Sequence, residues 1–190
     1  QMEGYYLYRV VPPVLEFIDH LTNWYIRRSR RRFWRSVEDQ DAIQDKANAY
    51  STLYETLVSF SKVLAPVLPF LSESIYQHLV VSPGMANESE DSVHLCHYPE
   101  VQAHLIDRQL EHQIHLSRQV VSMGRALRER HKLKTRQPLS AVILVHHDEK
   151  VRNALQAQAH LVAEELNVKE VRVEVSDERL TNVSFKANYK

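Results

Sequence analysis

The sequence has very little cysteine, very little glycine and no long apolar run in its 190 residues. Its single cysteine, Cys96, excludes an internal disulfide and any zinc site built on paired cysteines. No apolar run approaches the roughly 20 residues that a membrane-spanning helix needs, and the first residues lack the charged start and hydrophobic core of a secretion signal. These absences predict a protein of a reducing compartment without a membrane partner, and the cytoplasm is its expected location.

The scarcity of glycine favours long helices with few tight turns, because tight turns often require glycine. Only three glycines are present. The adjacent Pro12 and Pro13 are expected to bend or interrupt the first helix, since proline lacks an amide hydrogen and clashes with the preceding turn. Apolar residues recur at spacings of three and four, which predicts helices over residues 5–37, 40–64, 71–80 and 106–131.

The same spacing predicts which side of each long helix faces the core of a helical bundle. On the first helix the inward residues are expected to be Leu15, Ile18, Thr22, Ile26, Ser29 and Phe33. On the second they are expected to be Ala47, Tyr50, Leu53, Tyr54, Leu57, Val58 and Ser61. On the fourth they are expected to be Leu110, Ile114, Ser117, Val121, Gly124 and Leu127.

The pattern changes at Pro138. Beyond it come a β-branched segment, an amphipathic segment and two alternating segments, over residues 139–145, 149–166, 171–175 and 181–187. Strand, helix and two strands in this order predict a small α+β subdomain. We therefore expect a mainly α fold, with a helical bundle over residues 1–137 followed by an α+β C-terminal subdomain over residues 138–190.

Charge is balanced overall but unevenly placed. The chain has 24 Lys and Arg against 24 Asp and Glu, so its formal net charge is zero. Residues 27–36 hold six arginines and no acid, and residues 117–136 hold seven basic residues against Glu129 alone. Two concentrated basic segments on an otherwise acidic chain predict a surface that orients a polyanion.

The first basic segment interleaves arginine with aromatic residues between Trp24 and Trp34. Arginine grips phosphate in two places and stacks on flat rings, so this pattern suits RNA better than a lysine tract does. Two other interpretations stay open. The arginines form a solvated face paired with carboxylates of the second and fourth helices, or the basic helix lies on an anionic membrane surface.

Motifs of an enzymatic centre are missing from the sequence. It contains no Gly-rich phosphate loop, nucleophile elbow or acidic metal cluster. His94, Cys96 and His97 lie within four residues and lack a distant fourth ligand, which makes a poor metal site. Asp148 fits a helix N-cap better than a catalytic carboxylate. We expect neither a catalytic centre nor a metal within these residues.

Several motifs together resemble one known family. They are Leu21-Thr-Asn-Trp-Tyr-Ile-Arg-Arg-Ser-Arg-Arg-Arg-Phe-Trp34, Leu64-Ala-Pro-Val-Leu-Pro-Phe-Leu71, Gly124-Arg-Ala-Leu-Arg128 and Lys134-Thr-Arg-Gln-Pro-Leu139. Over roughly residues 5–140 the chain resembles the helical anticodon-binding domain of class I isoleucyl-tRNA synthetases. The resemblance is to the eukaryotic-like type, which is found in eukaryotic cytosol and in some bacteria.

The resemblance implies a module of an ATP-dependent ligase that attaches isoleucine to tRNA(Ile), with this portion docking the anticodon stem and loop. The family's two ATP-site signatures, His-Ile-Gly-His and Lys-Met-Ser-Lys-Ser, are absent here. The chain is thus expected to be a piece whose partners include N-terminal catalytic and editing domains of the same polypeptide. No cofactor is expected in the piece, and ATP with magnesium is expected for the parent enzyme.

An anticodon loop needs cations along its backbone and flat or polar groups for its unstacked bases. Trp24, Tyr25 and Phe33 are expected to pack inside the bundle, whereas Trp34 either stacks on a base or caps the bundle end. Gln137 is a candidate for reading a base edge. The predicted RNA-binding residues are Arg27, Arg28, Arg31, Arg32, Trp34, Arg35, Arg125, Arg128, Lys132, Lys134, Arg136 and Gln137.

Two alternative functions remain open. A generic basic RNA-binding helical module would show the same charge separation without amino-acid specificity, and a protein-interaction scaffold would bind no RNA. Because phosphate contacts release counterions, a steep fall of RNA affinity with salt separates RNA binding from the scaffold. A panel of tRNAs that differ only in the anticodon separates the specific module from the generic one.

Overall fold

The computed structural model describes residues 6–36, 40–87 and 90–176. The chain is mainly helical, as predicted, and it divides into two compact units, Gln1–Val101 and Gln102–Lys190. The predicted domain boundary at residues 137 and 138 stays a prediction. Among the helices of the described ranges, none combines the length and the apolar composition that a bilayer span requires.

The described residues of the first unit are dominated by α-helices. α3 has the bounds that the periodicity predicted, and α4 begins with a proline at its first position, where a missing amide hydrogen costs nothing. Two π-helical stretches, His20–Ile26 and Gln77–Val81, extend α1 and α4. The α-helices are α1 (Leu7–Asp19), α2 (Arg27–Trp34), α3 (Gln40–Leu64) and α4 (Pro69–Tyr76).

The first helical run is continuous from α1 through the π-helical stretch into α2, and it passes through Pro12 and Pro13 without the predicted interruption. A π-helical turn holds more residues than an α-helical turn, so the spacing of three and four does not carry across it. The predicted inward positions of Leu15, Ile18 and Thr22 are wrong, since all three are exposed.

Beyond the π-helical stretch, the predicted burial of Ser29 and Phe33 is confirmed. Phe33 packs on Tyr50 of α3, with ring centroids 5.1 Å apart.

Small residues on α3 form the contact side of that helix. Ala42, Ala49 and Ser61 are buried, whereas Ala47 and Tyr50, which were predicted to face inward, are exposed. A buried alanine permits close approach of a neighbouring helix, and the Tyr25 hydroxyl donates to the Ala49 carbonyl at 3.2 Å. A hydrophobic core cluster of the first unit is formed by residues after α3, namely Ala65, Tyr76, Val80 and Val93.

The second unit combines one long helix with a β-α-β arrangement. Asp107 caps the long helix by accepting from the Leu110 amide at 2.9 Å, and Asp148 caps the next by accepting from Lys150, as predicted. The predicted helix over residues 149–166 is divided at Gln158. The elements are α5 (Arg108–Arg130), β1 (Leu139–Val145), α6 (Glu149–Ala157), α7 (Ala159–Leu166) and β2 (Val168–Glu174).

The two strands pair in parallel, from Leu139 beside Val168 to Val145 beside Glu174. Parallel neighbours need a crossover connection, which α6 and α7 supply. Leu155, Val162 and Leu166 are buried and form the apolar side of these helices. The predicted strand over residues 181–187 lies outside the described residues.

The inward face of α5 differs from its prediction at one end. Ser117 and Val121 are buried as predicted, and a Cβ added to Gly124 would come within 2.6 Å of the Leu166 side chain, so the glycine permits close packing against α7. Leu127 is 56% exposed, so its predicted inward position is wrong. The buried residue at the C-terminal end of α5 is Arg128.

Candidate nucleic-acid interface

The six arginines of the first basic segment lie on α2 and directly after it. Ser29 and Phe33 provide the buried side of this helix, and successive residues are rotated by about 100°, so most of the arginines face away from the core. Arg27, Arg30, Arg31 and Arg35 are exposed. We call the set the arginine cluster; it comprises Arg27, Arg28, Arg30, Arg31, Arg32 and Arg35.

Two members of the cluster contact the preceding π-helical stretch. The Nε of Arg27 donates to the Asn23 carbonyl at 2.8 Å. The Arg28 guanidinium lies 5.5 Å from the centre of the Trp24 ring, within the range of a cation–π contact. Trp24 is half-buried, in agreement with the packing role that was predicted for it.

Arg32 is bound to a carboxylate of α3. Its Nη2 lies 2.7 Å from Oδ1 of Asp45, its Nε donates to both carboxylate oxygens at 3.0 and 3.1 Å, and Nη2 also donates to the Asp45 carbonyl at 3.1 Å. Hydrogen bonding to Asp45 raises the pKa of Arg32, and the same bonds lower the pKa of the Asp45 carboxyl. Arg32 is therefore paired with a carboxylate of the second predicted helix, as the alternative to RNA binding predicted for these arginines.

The C-terminal end of α2 carries the exposed part of the cluster. Trp34, the last residue of the helix, is 78% exposed, and Arg35 leaves the helix in an extended conformation. In the described ranges no carboxylate forms an ion pair with Arg31 or Arg35. An indole ring and two guanidinium groups are thus accessible at one helix end.

Arg31→Ala is expected to leave the melting temperature unchanged, whereas Arg32→Ala is expected to lower it slightly. Of these two residues, Arg32 joins α2 to α3 through an ion pair and Arg31 forms none with the described residues, and such partly exposed pairs contribute little stability. Because the folded-state pKa of Asp45 is lowered, the pair stabilises the fold above the unfolded pKa of that carboxyl and is lost as the pH falls through its folded pKa. Thermal unfolding at neutral pH and at about pH 2 measures both effects.

Asp45→Asn is the matched control for this comparison. It removes the carboxylate while it preserves the size of the side chain, and it is expected to reproduce the small loss caused by Arg32→Ala at neutral pH. An equal fall in melting temperature for the Arg31 and Arg32 variants would contradict the finding that, among the described residues, Arg32 and not Arg31 is held by an ion pair.

The predicted RNA-binding arginines of α5 have protein partners. Nη2 of Arg125 lies 2.5 Å from Oε2 of Glu165, whose side chain is buried. Arg128 is only 5% exposed, and its guanidinium donates to four backbone carbonyls. These contacts give Arg128 a structural role, and we do not propose it as an RNA contact.

The remaining candidates lie together in the segment after α5. Lys132, Lys134, Arg136 and Gln137 are all exposed. In the part of the chain that the structure describes, none of the three cationic side chains has a hydrogen bond or an ion pair. Lys132 has a positive φ of 56°, a conformation that glycine or asparagine adopts more readily than lysine. We call residues 132–137 the basic loop.

No group of three or more His, Cys, Asp or Glu within the described ranges is placed to hold a metal ion. The rings of His146 and His147 stack with centroids 4.7 Å apart, and Arg152 donates to the carbonyls of both residues. These contacts belong to the turn between β1 and α6.

The sequence did not indicate which carboxylates bind individual arginines and which arginines are left exposed. Asp45 lies 13 residues from Arg32, and Glu165 lies 40 residues from Arg125, so no local pattern joins them. Asn167 was also missed. The sequence feature that could have identified it is an asparagine directly after an amphipathic helix, since this position often adopts the left-handed conformation.

Comparison with known proteins agrees with this architecture. Residues 1–143 match the family described as the anticodon-binding domain of tRNA ligase. The isoleucine–tRNA ligases of Protochlamydia amoebophila and Treponema denticola are 42% and 44% identical to this chain over 189 and 190 residues, which is 100% of it in each case. That of Chlamydia trachomatis serovar L2 is 47% identical over 170 residues, or 90% of the chain.

The chain spans only 17%, 16% and 15% of the length of these three relatives, in the same order. All three organisms are bacteria, and the names of these relatives state no type, so the eukaryotic-like type that the resemblance suggested is not supported. The family match covers well over half of the chain and includes the arginine cluster and the basic loop. This chain therefore belongs to the family of anticodon-binding domains of tRNA ligases.

Proposed function

We propose that this chain is the part of an isoleucine–tRNA ligase that binds the anticodon stem and loop of tRNA(Ile). The proposal extends to this chain the name shared by relatives that are 42–47% identical to it over at least 90% of its length. In the parent enzyme, isoleucine would be activated with ATP and magnesium in N-terminal domains of the same cytoplasmic polypeptide. These residues would hold the tRNA and would not catalyse.

The observation that carries the proposal is the exposed end of α2, where Arg31 and Arg35 flank Trp34. A guanidinium group matches the two oxygens of a phosphate, and an indole ring can stack on an unstacked base. Trp34 is 78% exposed, so its ring is accessible to such a base. The basic loop of the second unit supplies further cations without protein partners among the described residues.

A filter-binding experiment with the 190-residue chain tests the proposal. The probes are an unmodified tRNA(Ile) transcript and otherwise identical transcripts with substituted anticodons. We expect the affinity for tRNA(Ile) to fall steeply between about 50 and 200 mM salt, because each phosphate contact releases counterions. We also expect anticodon substitution to weaken binding by about tenfold or more, since base contacts are lost while phosphate contacts remain.

The two alternative functions give different results in the same experiment. Equal affinities for all transcripts with a steep salt dependence would identify a generic RNA-binding module. No salt-dependent affinity for any transcript would identify a protein-interaction scaffold, and the proposal would then be wrong.

A further inference from the structure

The side chains of Arg128 and Asn167 donate hydrogen bonds to backbone carbonyls of the basic loop. Nη1 of Arg128 donates to the carbonyls of Lys134 and Gln137, each at 3.0 Å. Nδ2 of Asn167 donates to the carbonyl of Thr135 at 3.2 Å. Three carbonyls of a short exposed loop are thus fixed by donors from α5 and from the residue after α7.

Arg128 is itself fixed by the end of α7. Its Nη2 donates to the carbonyls of Leu166 and Asn167 at 2.7 and 3.3 Å. The last carbonyls of a helix carry partial negative charge, which compensates a buried guanidinium in the absence of a carboxylate. The planar guanidinium donates in fixed directions, so it joins α5, α7 and the basic loop in one geometry.

Asn167 completes this arrangement through its backbone as well as its amide. It has φ 49° and ψ 55°, the left-handed conformation that ends α7. Its carbonyl accepts from the Leu139 amide at 3.1 Å, which fixes the start of β1 directly after the basic loop. The loop is therefore held at its centre and at its C-terminal end.

The inward direction of these carbonyls has an electrostatic consequence. A carbonyl oxygen that faced a phosphate would repel it, whereas here the carbonyls of Lys134, Thr135 and Gln137 are occupied by protein donors. The exposed groups of the loop are the cationic side chains. Lys132 has a positive φ directly after the end of α5, where the Leu133 amide donates to the Arg128 carbonyl at 2.8 Å, as is common where a helix ends in a left-handed residue.

We propose that Arg128 and Asn167 are positioning residues for RNA binding. They hold the basic loop in the conformation that presents Lys132, Lys134 and Arg136 to the phosphate backbone of a bound tRNA, and they do not touch the RNA themselves. This inference rests on the proposed function. A loop that is ordered before binding does not lose conformational entropy on binding, so the same contacts give a higher affinity.

Asn167→Gly is the decisive variant. Glycine adopts the left-handed conformation freely and keeps the backbone carbonyl that Leu139 and Arg128 use, so only the donor to Thr135 is removed. We expect an unchanged melting temperature and an affinity for a labelled tRNA(Ile) transcript that is about fivefold lower. The slope of log affinity against log salt should not change, because the same phosphates are contacted in the complex.

Three further variants serve as comparisons for Asn167→Gly. Asn167→Asp also lacks the donor and adds a negative charge beside the basic loop, so its loss of affinity is expected to be at least as large. Lys134→Ala removes a phosphate contact, so its salt slope should fall by about 0.7 to 0.9. Asn153→Ala, which removes an exposed amide from α6 of the same unit, is the matched control and should bind like the unaltered chain.

Several results would overturn the inference. Unaltered affinity of Asn167→Gly would show that the amide does not position the loop, and a reduced salt slope in that variant would show that a contact was lost instead. Unaltered affinity and slope on replacing Lys132, Lys134 and Arg136 together by alanine would exclude the loop from the interface. That last result would leave RNA binding by the arginine cluster intact, whereas failure of the unaltered chain to bind any transcript would be the failure of the proposed function.

Discussion

Replacing Arg31 and Arg35 together by glutamate is expected to lower the affinity for tRNA(Ile) by about 100-fold at low salt. Arg31 lies in the last turn of α2 and Arg35 directly follows the helix, and neither forms an ion pair with a carboxylate in the described ranges, although the charge of Arg35 helps to lower the pKa of the Asp45 carboxyl. Each substitution removes a hydrogen bond between charged groups, worth about 1.5 kcal/mol or more, and adds repulsion from phosphate. The salt slope should fall by roughly 1.5, the loss expected for two phosphate contacts.

The same filter-binding assay measures this effect against a matched change of charge. Lys150→Glu combined with Lys169→Glu alters the net charge of the chain equally, at two exposed lysines outside both basic segments. If binding depends on where the charges lie, this control should lose far less affinity. Equal losses in the two double variants would show that the effect comes from the change in net charge and not from the position of the charges, and would remove the exposed end of α2 from the interface.

Arg128→Met is expected to lower the free energy of unfolding by about 3 kcal/mol. Methionine fills much of the space of the arginine stem but donates no hydrogen bond, so the carbonyls of Lys134, Gln137 and Leu166 lose a charged donor, and the Leu166 carbonyl loses it in a buried position. Each buried acceptor left without a partner costs about 1 kcal/mol or more. Urea denaturation followed by circular dichroism measures the change through the midpoint of unfolding.

Arg130→Met is the matched control, because Arg130 lies on the same helical turn and is exposed. Its effect should stay within about 0.5 kcal/mol. Arg128→Lys keeps the positive charge but not the planar fork, so its loss of stability should lie between those of the two methionine variants. Equal midpoints for Arg128→Met and Arg130→Met would contradict the structural role of Arg128.

Much of the secondary structure could be predicted because its cause is local. The periodicity of apolar residues gave α3 its bounds at Gln40 and Leu64, and the β-branched run gave β1 its bounds at Leu139 and Val145. Asp148 was recognised as a helix cap because a carboxylate in that position accepts from an amide two residues away.

The faces of the first helix could not be predicted in the same way. The π-helical stretch His20–Ile26 changes the number of residues per turn, so a stripe drawn at a constant angle fails on its N-terminal side. Leu15 was assigned to the core on that basis and is exposed, whereas Phe33, which lies beyond the stretch, was assigned correctly.

The candidate interface could likewise be predicted only in part. The sequence determined that arginines and lysines are concentrated in two segments, since charge depends only on composition and order. It could not determine which of them are accessible, because burial and pairing depend on residues far away in the chain. Arg32 forms an ion pair with Asp45, and Arg128 is buried against the end of α7, where it donates to the carbonyl of Leu166, 38 residues further along the chain. Arg31, Arg35 and the basic loop remain exposed. The sequence thus specified the helical fold and the two basic segments, and only the tertiary structure decided which of their cations support the fold and which remain exposed.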